Sequence, residues 1–220
     1  MIDLPNSGAR AYLAQPGTTP APGVLVLHAW WGFTPFFEGV CDRLAQAGFV
    51  ALAPDLYEGD TTDTIEGAEA LRGQHPNERL DEIANDALST LRANPAVSGP
   101  VAVLGFSLGA AWAAVLATER PEDVRAAVVM YGAYTGLDHS PARAAYLGHF
   151  GEQDDMEPLD GVREMESEIR AGGRDVTFYV YPEAQHWFME NDRPEYRPAD
   201  AELAWERTLA FLAQQLEAGA

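Results

Sequence analysis

The sequence predicts an α/β fold in which a mostly parallel central sheet is flanked by helices on both faces. Short apolar runs of strand length alternate with longer segments of helical periodicity, which is typical of βαβ units. Most of the runs lack polar alternation, as expected for strands covered on both faces. The chain has 220 residues, of which 47% are hydrophobic, enough for one well-packed core. We therefore expect a single domain over residues 1–220.

Each element has its own local signal. Strands are predicted at residues 24–28, 49–53, 101–105, 126–131, 145–150 and 176–181. Helices are predicted at residues 36–47, 78–92, 108–118, 159–171 and 199–216. Gly48 and Gly172 follow two of these helices, where glycine commonly ends a helix. Segment 57–74 is rich in Asp, Thr, Glu and Gly and predicts a surface loop with one short helix, which leaves open whether it forms a lid.

The charge of the chain excludes several classes of partner. It has 34 acidic and 14 basic residues, a formal net charge of −20. Such a chain repels phosphate backbones and anionic lipids, so we expect neither nucleic acid nor membrane as a partner. We expect the chain to be a monomer or a weak homodimer. The N-terminus has no basic region followed by a long apolar run, so it predicts no signal peptide and a cytoplasmic location.

Two further patterns exclude other structural classes. Cys41 is the single cysteine and cannot form an intramolecular disulfide or a cysteine-based metal site. We interpret it as a small packed residue. The uncharged stretch around residues 101–117 has nearly the length of a membrane span, but Gly105 and Ser107 interrupt it and its first half resembles a strand. No histidine and carboxylate spacing suggests a metal site, and we predict no metal and no cofactor.

The strongest chemical signal is the sequence Gly-Phe-Ser-Leu-Gly at residues 105–109. It follows a predicted strand and precedes an Ala-rich helix, the context of the nucleophile elbow in the α/β-hydrolase fold. There Ser107 would stand at the positive end of the helix, and the backbone N–H of Leu108 would meet a developing oxyanion. The alternative is a glycine-rich turn in which Ser107 only caps the helix. A dinucleotide-binding motif fits less well because the glycine spacing differs.

A serine nucleophile needs a base and an orienting acid, and α/β-hydrolases place them later in the chain as acid, then histidine. Asp154 follows the strand predicted to end at Phe150, and His186 follows the strand predicted to end at Tyr181. Both therefore lie where open α/β sheets bind ligands. Taken singly, Asp154 could be a solvated acidic turn and His186 a surface or packed histidine. Their order and placement favour a triad with Ser107.

An aromatic segment at residues 28–37 follows the first predicted strand. The second oxyanion donor of α/β-hydrolases comes from a loop of this kind, and the backbone N–H of Trp30 is the candidate. Trp31, Phe33 and, beside the histidine, Trp187 are the predicted substrate-binding residues. His28 either reaches the same pocket or is a satisfied core histidine. Phe36 and Phe37 instead fit the buried face of the following helix equally well.

Together these motifs resemble the dienelactone hydrolase family of α/β-hydrolases. The resemblance runs from about residue 24 to residue 216 and includes the segments 28–32, 53–57, 105–109, 149–154, 183–186 and 206–212 in family order. It implies that Ser107 is the nucleophile, Asp154 the acid and His186 the base. It also implies that the N–H groups of Trp30 and Leu108 form the oxyanion hole.

The chain departs from the family pattern at three positions. The best-known members have a cysteine nucleophile and a glutamate on the early loop, where this chain has Ser107 and Ala29. The two changes are consistent with each other, because a serine that its histidine activates needs no second carboxylate to help remove a thiol proton. Glu190 stands where members that cleave dienelactone have an arginine for the substrate carboxylate, and an acid there would repel that substrate. Arg72 and Arg79 lie in the region that could supply a second such arginine.

The predicted function is therefore a serine hydrolase that cleaves small neutral or apolar carboxylic esters or lactones through an acyl-enzyme. Dienelactone hydrolase or thioesterase activity is an alternative within the same enzyme class. A second alternative is a non-catalytic α/β-hydrolase scaffold that binds an apolar small molecule, suggested by Ala29 and Glu190. Turnover of a short-chain ester distinguishes this scaffold from an enzyme.

Overall fold

The structure, a computed structural model, describes residues 1–217. The chain divides into two compact units, Met1–Val101 and Ala102–Ala220. Residues 218–220 of the predicted single domain lie outside the described residues. No helix in the described part of the chain is long and apolar enough to cross a bilayer.

The first unit holds four strands and three helices. In chain order they are β1 (Ile2–Asp3), β2 (Arg10–Ala14), β3 (Gly23–Leu27), α1 (Pro35–Gln46), β4 (Val50–Pro54), α2 (Ile65–Gln74) and α3 (Asn77–Ala93). The strands lie in the order β1-β2-β4-β3. β3 and β4 are parallel, with Leu25 opposite Leu52, whereas β2 runs antiparallel to β4. Every residue of β3 and β4 is buried, which explains their unbroken apolar sequence.

The second unit holds the remaining elements. They are β5 (Val101–Phe106, whose first residue closes the first unit), α4 (Leu108–Glu119), β6 (Val124–Met130), β7 (Ala145–Gly151), α5 (Leu159–Ala171), β8 (Val176–Tyr181) and α6 (Pro198–Glu217). The strands follow one another as β5-β6-β7-β8. β7 pairs in parallel with both β6 and β8. Because parallel strands end at the same edge, the segments after β6, β7 and β8 are brought together there.

The six predicted strands and five predicted helices are confirmed, with ends that differ by at most two residues. Segment 57–74 does contain a helix, α2, which occupies its second half. The two N-terminal strands were not predicted, because β1 has only two residues and β2 has an irregular burial pattern. A distant side chain holds the turn between them: Asp86 on α3 accepts hydrogen bonds from the backbone N–H groups of Asn6 (2.9 Å) and Ser7 (2.6 Å).

Candidate active site

Ser107 lies between β5 and α4 in a strained backbone conformation. Its φ is +48°, in the left-handed region that side chains rarely adopt. Glycines provide the space for this turn: a Cβ on Gly105 would lie 2.1 Å from the carbonyl oxygen of Gly109, and one on Gly132 would lie 2.5 Å from that of Ser107. The backbone N–H of Ser107 donates to the Met130 carbonyl at the end of β6 (2.8 Å). The turn thereby holds the serine at the carboxyl edge of the strands.

The Ser107 side chain does not act as a helix cap. It makes no capping hydrogen bond to α4, although the residue occupies the N-cap position. Its Oγ instead lies 2.8 Å from Nε2 of His186. The first turn of α4 contains no acidic residue, so the helix itself supplies no carboxylate that would offset the positive end of its dipole beside the serine.

His186 is held from its other side by Asp154. Nδ1 of His186 lies 2.6 Å from Oδ2 of Asp154, and the two side chains are 6% and 1% exposed. Oδ1 of Asp154 accepts the backbone N–H groups of Met156 and Glu157, each at 2.9 Å. With Oδ1 occupied, Oδ2 is left to accept the Nδ1 proton of His186. This arrangement leaves a lone pair on Nε2 directed at the Ser107 hydroxyl.

The loops that carry the acid and the histidine are bonded to each other. After β7, the backbone N–H groups of Glu152 and Gln153 donate to the carbonyls of Tyr181 (3.0 Å) and Ala184 (2.9 Å). Gly151 permits this approach, because a Cβ there would lie 2.4 Å from the Ala184 oxygen. The neighbouring carboxylates of the predicted acidic cluster, Glu152 and Asp155, are exposed. The structure thus separates Asp154 from its acidic neighbours.

A buried tyrosine and glutamate lie behind the histidine, and the sequence analysis missed the tyrosine. The ring of Tyr131 meets that of His186 edge to face with centroids 5.1 Å apart. Its hydroxyl donates to Oε1 of Glu190 at 2.9 Å. Tyr131 directly follows β6, so the rule that ligands bind at strand carboxyl ends was the signal that could have identified it. Trp187, at φ +62°, packs its ring against His186 with centroids 4.7 Å apart.

Glu190, predicted to repel a substrate carboxylate, lies buried beside Tyr131. It is 1% exposed, and burial raises its pKa from 4.5 to about 8 although the Tyr131 hydrogen bond opposes that rise. A neutral buried carboxyl bonded to Tyr131 has no direct means of repelling a substrate carboxylate. The chain still has no arginine at this position. Arg79 pairs with Glu58 and Glu82, and Arg72 donates to the His75 carbonyl (2.9 Å) within the first unit.

The burial of Glu190 makes the stability of the fold depend on pH. Because the folded chain holds this proton more tightly than the unfolded chain, the stabilisation is complete below about pH 4.5 and is lost as pH rises through about 8. The loss reaches at most roughly 1.4 kcal/mol per pH unit. Glu190→Gln should therefore gain stability relative to the native chain as pH increases across this interval, measured by urea unfolding.

The matched control for this comparison is Glu164→Gln, which changes an exposed carboxylate on α5. Its difference in unfolding free energy from the native chain should stay flat over the same pH range. A flat difference for Glu190→Gln as well would contradict a neutral, buried Glu190.

The aromatic residues of the early loop lie in the first unit. Trp30 is half-buried and its ring meets that of Trp31, which is 2% exposed, with centroids 5.4 Å apart. Phe33 is half-buried and stacks on Phe37 at 6.5 Å. Gly32 has φ +90° and no room for a Cβ, which would lie 2.2 Å from the Asp60 carbonyl oxygen. The predicted roles of Trp30 as oxyanion donor and of Trp31 and Phe33 in substrate binding stay predictions.

His28 is a satisfied core histidine. It is 1% exposed, its Nδ1 donates to the Ala29 carbonyl (2.6 Å), and its Nε2 accepts the N–H of Leu56 (3.0 Å). Burial lowers its pKa to about 4, so the ring is neutral at ordinary pH. Cys41 is fully buried, and burial raises the pKa of its thiol. Within residues 1–217, no three His, Cys, Asp or Glu side chains are grouped to hold a metal ion.

Comparisons with known proteins agree on one family and one fold. The model of the dienelactone hydrolase family matches residues 9–216. Protein usf of Aquifex pyrophilus is 31% identical over 98% of both chains, and a putative carboxymethylenebutenolidase of Escherichia coli is 31% identical over 96% of this chain and 85% of its own. The crystal structure of a putative dienelactone hydrolase from Klebsiella pneumoniae is similar with a TM-score of 0.83 and 29% identity, over 93% of this chain and 92% of that one. These likenesses confirm the predicted α/β-hydrolase fold.

Proposed function

Since the chain belongs to the dienelactone hydrolase family, and is therefore a carboxylic ester hydrolase, we propose that its nucleophile is Ser107. The observation that carries the proposal is the hydrogen-bonded series in which Ser107 Oγ lies 2.8 Å from His186 and His186 lies 2.6 Å from Asp154. A nucleophile, a base and an orienting acid within hydrogen-bond distance are the parts that acyl transfer to serine requires.

In the proposed mechanism, Ser107 Oγ attacks the ester carbonyl while Nε2 of His186 takes the hydroxyl proton. Asp154 keeps the His186 proton on Nδ1 and stabilises the imidazolium that forms. The histidine then donates this proton to the alcohol oxygen. The alcohol departs and the acyl group remains bound to Ser107 as an acyl-enzyme. Water, activated by the same histidine, releases the acid. The N–H groups of Leu108 and Trp30 are the proposed donors to the oxyanion, each worth roughly 10²- to 10³-fold in kcat.

We also propose that the substrates are small neutral or apolar esters and lactones rather than anionic ones. The residue in the family's arginine position is Glu190, whose carboxyl is buried and bonded to Tyr131, so it offers no positive charge to a substrate carboxylate. The net charge of −20 also disfavours anionic substrates, although charges beyond about 8 Å are largely screened at physiological salt. Trp187, Trp31 and Phe33 are the proposed apolar contacts.

A panel of p-nitrophenyl esters tests this proposal. We expect turnover of p-nitrophenyl butyrate, and a kcat/KM lower by about tenfold or more for the p-nitrophenyl monoester of succinate, since tenfold corresponds to about 1.4 kcal/mol. The panel should vary acyl length with and without a terminal carboxylate at constant ionic strength. Faster cleavage of the carboxylate-bearing esters, or of dienelactone itself, would contradict the substrate class. Absence of turnover with every ester would favour the non-catalytic scaffold.

A further inference from the structure

The second unit has a basic cavity away from the candidate active site. All 14 basic residues of the chain are arginines, and the chain has 34 acidic residues. Three of the arginines, Arg125, Arg143 and Arg174, line one cavity of about 190 Å³. Among the described residues of that lining, Asp175 is the one acidic residue. A concentration of positive charge in a chain this acidic needs an explanation.

The cavity lies at the opposite edge of the strands from the candidate active site. Arg125 is the second residue of β6, Ala145 begins β7, and Asp175 immediately precedes β8. Ser107, Asp154 and His186 follow the other ends of β5, β7 and β8. A strand of six or seven residues spans about 20 Å. A ligand in this cavity would therefore not contact the reacting groups.

Two of the three guanidinium groups in the cavity make no ion pair with a carboxylate of the side chains that the structure describes. Arg174 is half-buried and is held by backbone carbonyls: its Nη1 donates to Ala142 (2.8 Å) and its Nε to Gly172 (3.1 Å). Arg125 is exposed and has no ion pair with any residue in the described part of the chain. Arg143 pairs with Glu122, which is outside the lining and highly exposed. Among the side chains that the structure describes, Arg125 and Arg174 therefore have no carboxylate partner and are the candidates to bind a ligand.

The turn that leads into the cavity lining is closely packed and hydrogen-bonded. Gly172 packs so closely on His139 that a Cβ would lie 2.8 Å from the backbone of that residue, and Gly173 has φ +77°. The backbone N–H of Gly172 donates to the Glu168 carbonyl at 2.9 Å. Arg174 follows directly, so its guanidinium is positioned before any ligand arrives, and ordering it adds little entropic cost to binding.

We propose that this cavity binds a phosphate group. The two guanidinium groups of Arg125 and Arg174, which no described carboxylate pairs with, match the charge of a phosphate dianion, and the planar fork of arginine donates paired hydrogen bonds to its oxygens. The ligand is inorganic phosphate or a small phosphomonoester, which share this chemistry. Asp175 opposes the ligand and limits its affinity. Binding is independent of ester hydrolysis.

Isothermal titration of the full chain with inorganic phosphate, and separately with glycerol phosphate, tests the site against sodium chloride of equal ionic strength. We expect saturable 1:1 binding that survives Ser107→Ala. Arg125→Gln should weaken it about tenfold, because one charge-assisted interaction is lost. Asp175→Asn should strengthen it. Arg163→Gln, which changes an exposed arginine paired with Asp160 on α5, is the matched control and should have no effect.

Arg125→Gln is the informative variant because Arg125 is exposed and its removal breaks no hydrogen bond in the described residues. Its melting temperature and its ester hydrolysis should equal those of the native chain. Tighter binding of glycerol phosphate than of phosphate identifies a phosphomonoester site, and the reverse identifies a site for the free ion. The proposal is overturned if no saturable binding occurs, if Arg125→Gln binds like the native chain, or if acetate binds as tightly as phosphate.

Discussion

Ser107→Ala is expected to lower kcat for ester hydrolysis by roughly 10⁶-fold, the scale seen when a serine nucleophile is removed. The reason is geometric: Ser107 Oγ is the group that His186 Nε2 faces, at 2.8 Å. Treatment with a fluorophosphonate followed by intact mass measurement should show one adduct on the native chain and none on Ser107→Ala. Residual turnover at the native rate would remove Ser107 from the mechanism.

Ser167→Ala provides the matched control, because Ser167 is an exposed serine on α5. It should form the adduct and hydrolyse esters like the native chain. Thermal melts of both variants separate loss of chemistry from loss of folding, since an alanine at φ +48° keeps the strain of the elbow. An adduct that persists in Ser107→Ala would assign the reactive nucleophile to another residue.

Asp154→Asn should lower kcat by about 10⁴-fold while the fold is retained. An asparagine can still accept the backbone N–H groups of Met156 and Glu157 at its oxygen. Its amide would then face His186 as a donor, which places the histidine proton on Nε2 and removes the lone pair that Ser107 needs. Steady-state kinetics with p-nitrophenyl butyrate give the measurement.

The adjacent residue supplies the control for this substitution. Asp155 has the same side chain but is exposed and is not the carboxylate that contacts His186, so Asp155→Asn should leave kcat close to the native value. If Asp155→Asn were inactive and Asp154→Asn active, the orienting acid would be Asp155. Equal, small effects in both would exclude a carboxylate from the mechanism.

Much of the fold was predictable because its signals are local. The apolar runs of β3 to β8 and the amphipathic spacing of the longer helices can be recognised in short windows of sequence. The N-terminal pair β1 and β2 was not, since its turn is held by Asp86, which is about 80 positions away in the chain. Side chains that act over such separations carry no local pattern.

The candidate site shows the same division. Ser107, Asp154 and His186 could be selected because each follows a strand and their order fits one fold. The structure adds the physical difference between Asp154, which was predicted as the acid, and its neighbour Asp155: the path of the loop buries the first and exposes the second. The role of Glu190 also changed, because its partner Tyr131 is 59 positions away and the pair is buried.

The sequence by itself determined the alternation of strands and helices, the elbow around Ser107 and the order of the acid and the base, since these depend on residues adjacent in the chain. Only the tertiary structure decided that Glu190 is buried against Tyr131 and that Arg125 and Arg174 share a cavity. Burial and long-range contacts set these properties, and both depend on which distant segments of the chain the fold brings together. The charge of −20 did not indicate that basic cavity, because a net charge carries no information on where individual charges lie.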